Sequence, residues 1–216
     1  MRTTLCTLLL PFAVALTAAA ADETSKRLER AANTLTALTE PGHGIPQGEI
    51  AHADCVAVIP GFKKVAAVVG AGHGRGFIAC RNGSNWSAPG AITLDSGNLG
   101  IEIGAEEIDV VIVSLDPETR TKLLSDRFVV GSDASAAWGN GKSAYDDPNS
   151  KIRFYGRTKG IFSGFGLDGI TIKRDESGEK ALYDKKLSNN EIVNGGAQTP
   201  TVARSFMTIL AQVSAR

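Results

Sequence analysis

The stretch from Cys55 to Gly104 constrains the fold of this chain more than any other part of it. Residues 55–59, 65–69, 76–81, 91–94 and 99–103 are short apolar runs, each of strand length, with β-branched residues at many positions. Every gap between them carries turn chemistry: Pro60-Gly61, the glycine-rich 70–74, Asn82-Gly83, Pro89-Gly90 and Ser96-Gly97-Asn98. Punctuation this dense predicts an antiparallel meander, with one hairpin tip at Lys63-Lys64 and another connection across 70–76. On that reading Lys63 and Lys64 are solvated, and His73 and Arg75 are exposed.

The segment before it divides in two. Arg2 supplies a positive start, 8–16 an apolar run, and Ala19-Ala20-Ala21 a small-residue cleavage site, the pattern of a secretory signal peptide over residues 1–21. Pro11 interrupts the apolar run, which is too short to span a bilayer comfortably. Residues 22–216 are then expected as one soluble domain, periplasmic or secreted after cleavage near Ala21. From Asp22 to Glu40 the spacing of Leu28, Ala31, Leu35 and Leu38 predicts an amphipathic helix ended by Pro41-Gly42. Lys26, Arg27 and Arg30 lie mostly off that stripe. Such a helix either packs its leucines on the sheet or lies on a membrane. Three cations near an anionic surface contribute about 1 kcal/mol each, which alone gives weak adsorption.

Charge is balanced, with 23 Lys+Arg against 23 Asp+Glu, so bulk charge offers no argument for a nucleic-acid partner. Cys55 and Cys80 fall in expected strands of an exported chain. They either form a disulfide, closing a loop worth roughly 3–4 kcal/mol on the chain-entropy model, or stay as buried thiols. His52 with Cys55 lacks a second ligand pair, so no metal site is expected.

Farther along, 108–115 reads as a strand buried on both faces, and Pro117 starts a short helix. Residues 151–157 alternate. Ile152, Phe154 and Gly156 share one face, and Lys151, Arg153, Tyr155 and Arg157 share the other, with Lys159 beyond. This is the densest basic and aromatic face in the chain, read either as a solvated strand face or as an anion-binding surface. Residues 166–173 read as a further strand and 175–180 as a charged loop. Thr199-Pro200 precedes a C-terminal helix with Val202, Phe206, Ile209 and Val213 in one stripe.

Catalytic and nucleotide motifs fail on inspection. The glycines of 70–76 recur at every second position and miss GxGxxG, and Gly141-Lys142-Ser143 has Ala136 where a phosphate loop needs glycine. Ser177 and Lys180 match SxxK by spacing only, and neither GxSxG nor HExxH occurs. An enzyme would have to converge residues such as His73, Glu102 and Asp109, which no motif supports. No cofactor is expected.

The ordered set CVAVIP, GAGHGRGFIACR, WSAP, GIEIGAEEIDVVIV, VVGSDASAAWG and YGRTKGIFSGFGLDG resembles the SYLF domain. This lipid-binding family occurs in exported bacterial proteins and in eukaryotic membrane-trafficking and actin-patch proteins. The resemblance runs from about Ser25 to Tyr183. It departs at Glu102, where the family usually has glutamine, and at Asn140, where its Gly-Pro turn would place proline. It implies a non-catalytic protein that engages anionic phospholipid or a membrane surface peripherally, the alternative being a structural module for a protein partner. Lys63, Lys64, Lys151, Arg153, Arg157 and Lys159 are the candidate headgroup contacts. The expected architecture is a single α+β domain on a strongly turned, barrel-like antiparallel sheet with N- and C-terminal helices.

Overall fold

The structure, a computed structural model, describes residues 10–42, 44–46, 48–66, 70–97, 104–139, 149–158, 167 and 169–215. Helix α1 (Leu10–Thr39) is followed by β1 (Cys55–Ala66), β2 (Gly70–Asn82), β3 (Asn85–Trp86), β4 (Gly90–Ser96) and β5 (Gly104–Ser114). Then come α2 (Pro117–Leu123), β6 (Arg127–Val129), β7 (Ala137–Trp138), β8 (Ile152–Thr158) and β9 (Thr171–Arg174). The chain finishes with α3 (Glu176–Tyr183), α4 (Asn189–Glu191), a turn at Ile192–Gly196, a 3₁₀ turn at Thr201–Ala203 and α5 (Arg204–Ser214). The strands form one curled sheet in the order β6-β9-β4-β2-β1-β5-β8-β7, with β3 paired to β2. All pairings of named strands are antiparallel except β7 with β8. The expected α+β class holds: a half-barrel sheet with helices from both ends of the chain.

Both faces of this sheet are buried, and the alternation of side chains sorts them. Ala57, Ile59, Ile78, Ile92, Leu94, Val110, Ile112 and Phe154 point into one core, closed by Leu123, Phe128, Ile170 and Val193. Val56, Val58, Phe77, Ala79, Val111, Val113 and Tyr155 point into the other, beneath Leu28, Leu35 and Leu38 of α1 and Phe206 and Leu210 of α5. The N-terminal helix therefore packs its leucine stripe, as one of the two sequence readings has it. Its backbone is helical from Leu10, through the expected cleavage boundary at Ala21. Among the described residues no helix is long and apolar enough to cross a membrane.

Two expected hairpin connections are instead interior strand. β1 runs unbroken past Pro60-Gly61, and the register against β2 and β5 slips there as a bulge. A bulge tolerates the missing N–H of Pro60 and suits Gly61 at φ 66°. Lys63 is consequently exposed on the strand while Lys64 is 5% exposed. Residues 70–76 belong to β2, where the glycines permit close approach rather than a turn. A Cβ at Gly76 would overlap the Val58 carbonyl oxygen, and one at Gly72 would overlap the Phe62 ring. Turn propensity and tight packing both select glycine, and the sequence alone does not separate them.

Other expectations shift by smaller amounts. Residues 176–183 are helical rather than a loop, because the Asp175 side chain caps them by accepting from the Gly178 N–H. The buried stripe of the C-terminal helix is Ala203, Phe206, Leu210 and Val213, leaving Val202 48% exposed. The strand expected at 99–103, Glu102, Asn140, the Gly141-Lys142-Ser143 segment and Lys159 lie outside the described residues.

Candidate functional site

The six basic residues singled out in the sequence do not form one patch. Lys63 pairs in register with Glu107 on β5, and Asp109, two residues on, pairs with Arg157 on β8. Lys63 and Arg157 therefore sit near the same rim of the sheet. Lys151, just before β8, and Arg153, near its start, lie about 20 Å and about 13 Å from Arg157 by strand geometry.

Ion pairs answer part of this charge. Arg157 donates to Asp109 Oδ2 at 2.9 Å, and Arg153 Nε lies 3.4 Å from Glu49 Oε1. Lys63 and Lys151 are exposed and have no carboxylate within ion-pair distance among the described residues. The face expected to carry Lys151, Arg153, Tyr155 and Arg157 does so, yet Tyr155 is 2% exposed beneath the helix layer. Burial first, then the Glu49 carboxylate, raises its phenol well above the ordinary range.

The rim continues across the sheet. His73 on β2 faces Asp95 on β4, with Nδ1 2.6 Å from Oδ1, and Lys173 on β9 donates to Asp95 Oδ2 at 3.0 Å. Burial raises the Asp95 pKa, but the bonds from His73 and Lys173 outweigh it and hold the carboxyl below its usual value. His73 and Asp109 are thus engaged with different partners, and the structure does not bring them into a catalytic set.

At the opposite end of β1, Cys55 and Cys80 form a disulfide between directly paired residues. Close by, Arg81 stacks over Trp86 at 4.1 Å, and Trp86 Nε1 donates to Ser214 Oγ on α5 at 3.0 Å. The indole closes the sheet end against the C-terminal helix. A cleft of about 530 Å³ between it, Met207 and Ala211 meets a second of about 460 Å³ beside His52 and Asp54.

Sequence reasoning missed a polar junction beneath α1. Arg75 on β2 donates through Nε and one amino group to Asp175 at 2.6 and 2.7 Å. The partners lie 100 residues apart, so no local pattern announces them. The only readable signal is the Asp-x-x-Gly cap at the start of α3. Farther along that helix, Glu179 is 1% exposed. Its carboxyl is pushed up to about 8, chiefly by burial, against the lowering effect of Arg174.

Comparison with known proteins supplies the relationship. Residues 95–213, more than half the chain, match the Ysc84 family, described as Las17-binding protein actin regulator. The SH3 domain-containing YSC84-like protein 1 of Xenopus laevis is 29% identical over 185 residues, covering 82% of this chain and 55% of that protein. Its Homo sapiens counterpart is 28% identical over 185 residues, covering 82% and 53%. Protein YSC84 of Saccharomyces cerevisiae is 26% identical over 147 residues, 63% of this chain and 31% of that protein. The chain spans about half the length of the vertebrate relatives and about a third of the yeast one. No solved structure matches. With the curled sheet, the flanking helices and the family match together, this chain belongs to the Ysc84/SYLF family of lipid-binding, actin-regulating domains.

Proposed function

We propose that this protein is a non-catalytic lipid-binding domain of the periplasm or cell exterior that engages anionic phospholipid peripherally. The match of residues 95–213 to the family carries this reading. The export half rests on the signal-peptide pattern of residues 1–21. Among the candidate contacts, Lys63 and Lys151 offer ammonium groups with no carboxylate in ion-pair reach among the described residues, and Lys159 is a candidate from its place in the sequence, two residues after Arg157. Arg153 and Arg157 would share a headgroup phosphate with the carboxylates they already hold. Lys64, nearly buried, would reach a headgroup only through its exposed margin.

A protein partner is the second reading, favoured by the family's description as an actin regulator that binds a protein. Mass spectrometry of ligands extracted from natively purified protein separates the two. Co-purifying phospholipid supports the first. A stoichiometric protein complex that survives high salt, with no lipid, supports the second and overturns the first.

A further inference from the structure

A row of side chains crosses the rim of the sheet at the end away from the disulfide. Lys63 on β1 pairs in register with Glu107 on β5 and with His73 on β2, and His73 pairs in turn with Asp95 on β4. Residues paired directly across strands point to the same face, with Cα atoms about 5 Å apart, so these four side chains stand side by side. Lys173 on β9 completes the row by donating to Asp95 Oδ2 at 3.0 Å, while His73 Nδ1 lies 2.6 Å from Oδ1 of the same carboxylate. The His73 side chain is 60% exposed, so its charge is presented outward. Neither cleft at the disulfide end is lined by these residues. The row lies on open sheet, a shape that meets a surface rather than encloses a small ligand.

The imidazole decides the charge of this row. With His73 neutral, Glu107 and Asp95 balance Lys63 and Lys173. With His73 protonated, three cations face two carboxylates, and neither carboxylate can absorb the addition. Asp95 is already divided between His73 and Lys173. Glu107 leans over Gly61, where a Cβ would meet its Oε1 at 3.0 Å, and Lys63 has no carboxylate in ion-pair reach among the described residues. Protonated His73 also stands directly opposite Lys63, a like-charge pair that destabilises a sheet unless an anion answers it. The other charges nearby are engaged. Arg75, two residues along β2 on the same face, binds Asp175, and Arg27 of α1, the helix packed on β2, lies in the field of that pair. Asp109 and Arg157 answer each other on β5 and β8.

We propose that Lys63, His73 and Lys173 form a headgroup-contact row that grips an anionic bilayer more tightly as His73 takes up a proton. Histidine is the side chain whose charge ordinarily changes between about pH 5 and pH 8, and headgroup phosphates supply the counter-charge that the protonated row lacks. This rests on the lipid reading above and adds to it an acid dependence and two residues, His73 and Lys173, that are not among the candidate contacts read from the sequence.

Flotation on phosphatidylglycerol vesicles at about pH 5.5 and about pH 7.5, with ionic strength held constant, tests the row, since the lipid phosphodiester is ionised at both. Wild type should bind about three- to fivefold more tightly at the lower pH, the effect of one added cation near an anionic surface. His73→Gln should lose most of that rise. His73→Lys, charged throughout, should bind at the higher pH as wild type does at the lower. His52→Gln, beside the cleft at the opposite end of the sheet, should keep the rise, which separates the row from the charge the whole protein gains in acid. Equal wild-type binding at the two pH values, or a rise in His73→Gln as large as that of wild type, overturns the proton dependence and leaves the lipid reading standing. Wild type that floats at neither pH overturns both.

Discussion

Asp109 ties the Gly61 bulge to β8: its Oδ1 accepts from the Gly61 N–H at 3.0 Å while its Oδ2 accepts from Arg157 at 2.9 Å. One carboxylate therefore fixes the irregularity in β1 and neutralises an arginine at the same rim as Lys63. Asp109→Ala should lower stability by about 1–2 kcal/mol, because the bulge N–H loses its acceptor. Freed of its carboxylate, Arg157 should raise binding to anionic vesicles. Urea denaturation and flotation on the same variant check both halves.

The glycines of β2 and of the β2–β3 turn make opposite demands on a substitution. At Gly76 a methyl group runs into the backbone of β1, so Gly76→Ala should cost about 3 kcal/mol or more. At Gly83 nothing lies within 4 Å, and only the left-handed conformation at φ 63° resists a side chain. Gly83→Ala should cost about 1 kcal/mol. Equal losses in urea denaturation would contradict this account of the glycines.

These positions mark the limit of what the sequence discloses. The runs at 55–59, 76–81 and 91–94, the leucine stripe of α1 and the double-sided burial of β5 are local patterns, and they read correctly, whereas the run expected as a separate strand from residue 65 begins as the end of β1. Glycine at 72, 74 and 76 reads as a turn because its real cause, contact with Ile59, Phe62 and the Val58 backbone, is made across strands. The basic residues of β8 read as one face because alternation is local. Their neutralisation by Glu49 and Asp109 comes from the loop after α1 and from β5. Arg27 reads as one more solvated helix charge, yet it is 8% exposed, because α1 is packed against elements distant in sequence.

The Cys55–Cys80 disulfide joins directly opposed residues of β1 and β2 inside the core, 25 positions apart in sequence. Cys55→Ser with Cys80→Ser should lower stability by about 3 kcal/mol, through the freer unfolded chain and two polar groups left in an apolar site. Urea denaturation of oxidised wild type, reduced wild type and the variant checks this. An unchanged midpoint in all three would contradict it.

Glu179 gives stability a pH dependence of defined sign. Its carboxyl titrates near 8 in the folded protein against 4.5 ordinarily. Between those values the folded state holds a proton that the unfolded chain has released, so stability falls as pH rises through that window. Asp175 acts oppositely: hydrogen bonds from Gly178, Ser177 and Arg75 overcome its burial and hold it below 3.8, so its contribution is lost only in acid below that value. Glu179→Gln should flatten the decline, gaining on wild type from about pH 5 to about pH 8. Parallel pH profiles of the urea midpoint would contradict the assignment.

Vesicle flotation tests the central claim most directly. The purified protein is mixed with vesicles of phosphatidylcholine alone or with added phosphatidylglycerol, at low and at high salt. Peripheral engagement of anionic headgroups predicts flotation with the phosphatidylglycerol vesicles at low salt, loss of that binding as salt rises, and little binding to phosphatidylcholine at either. Failure to float with any composition at low salt would contradict the account.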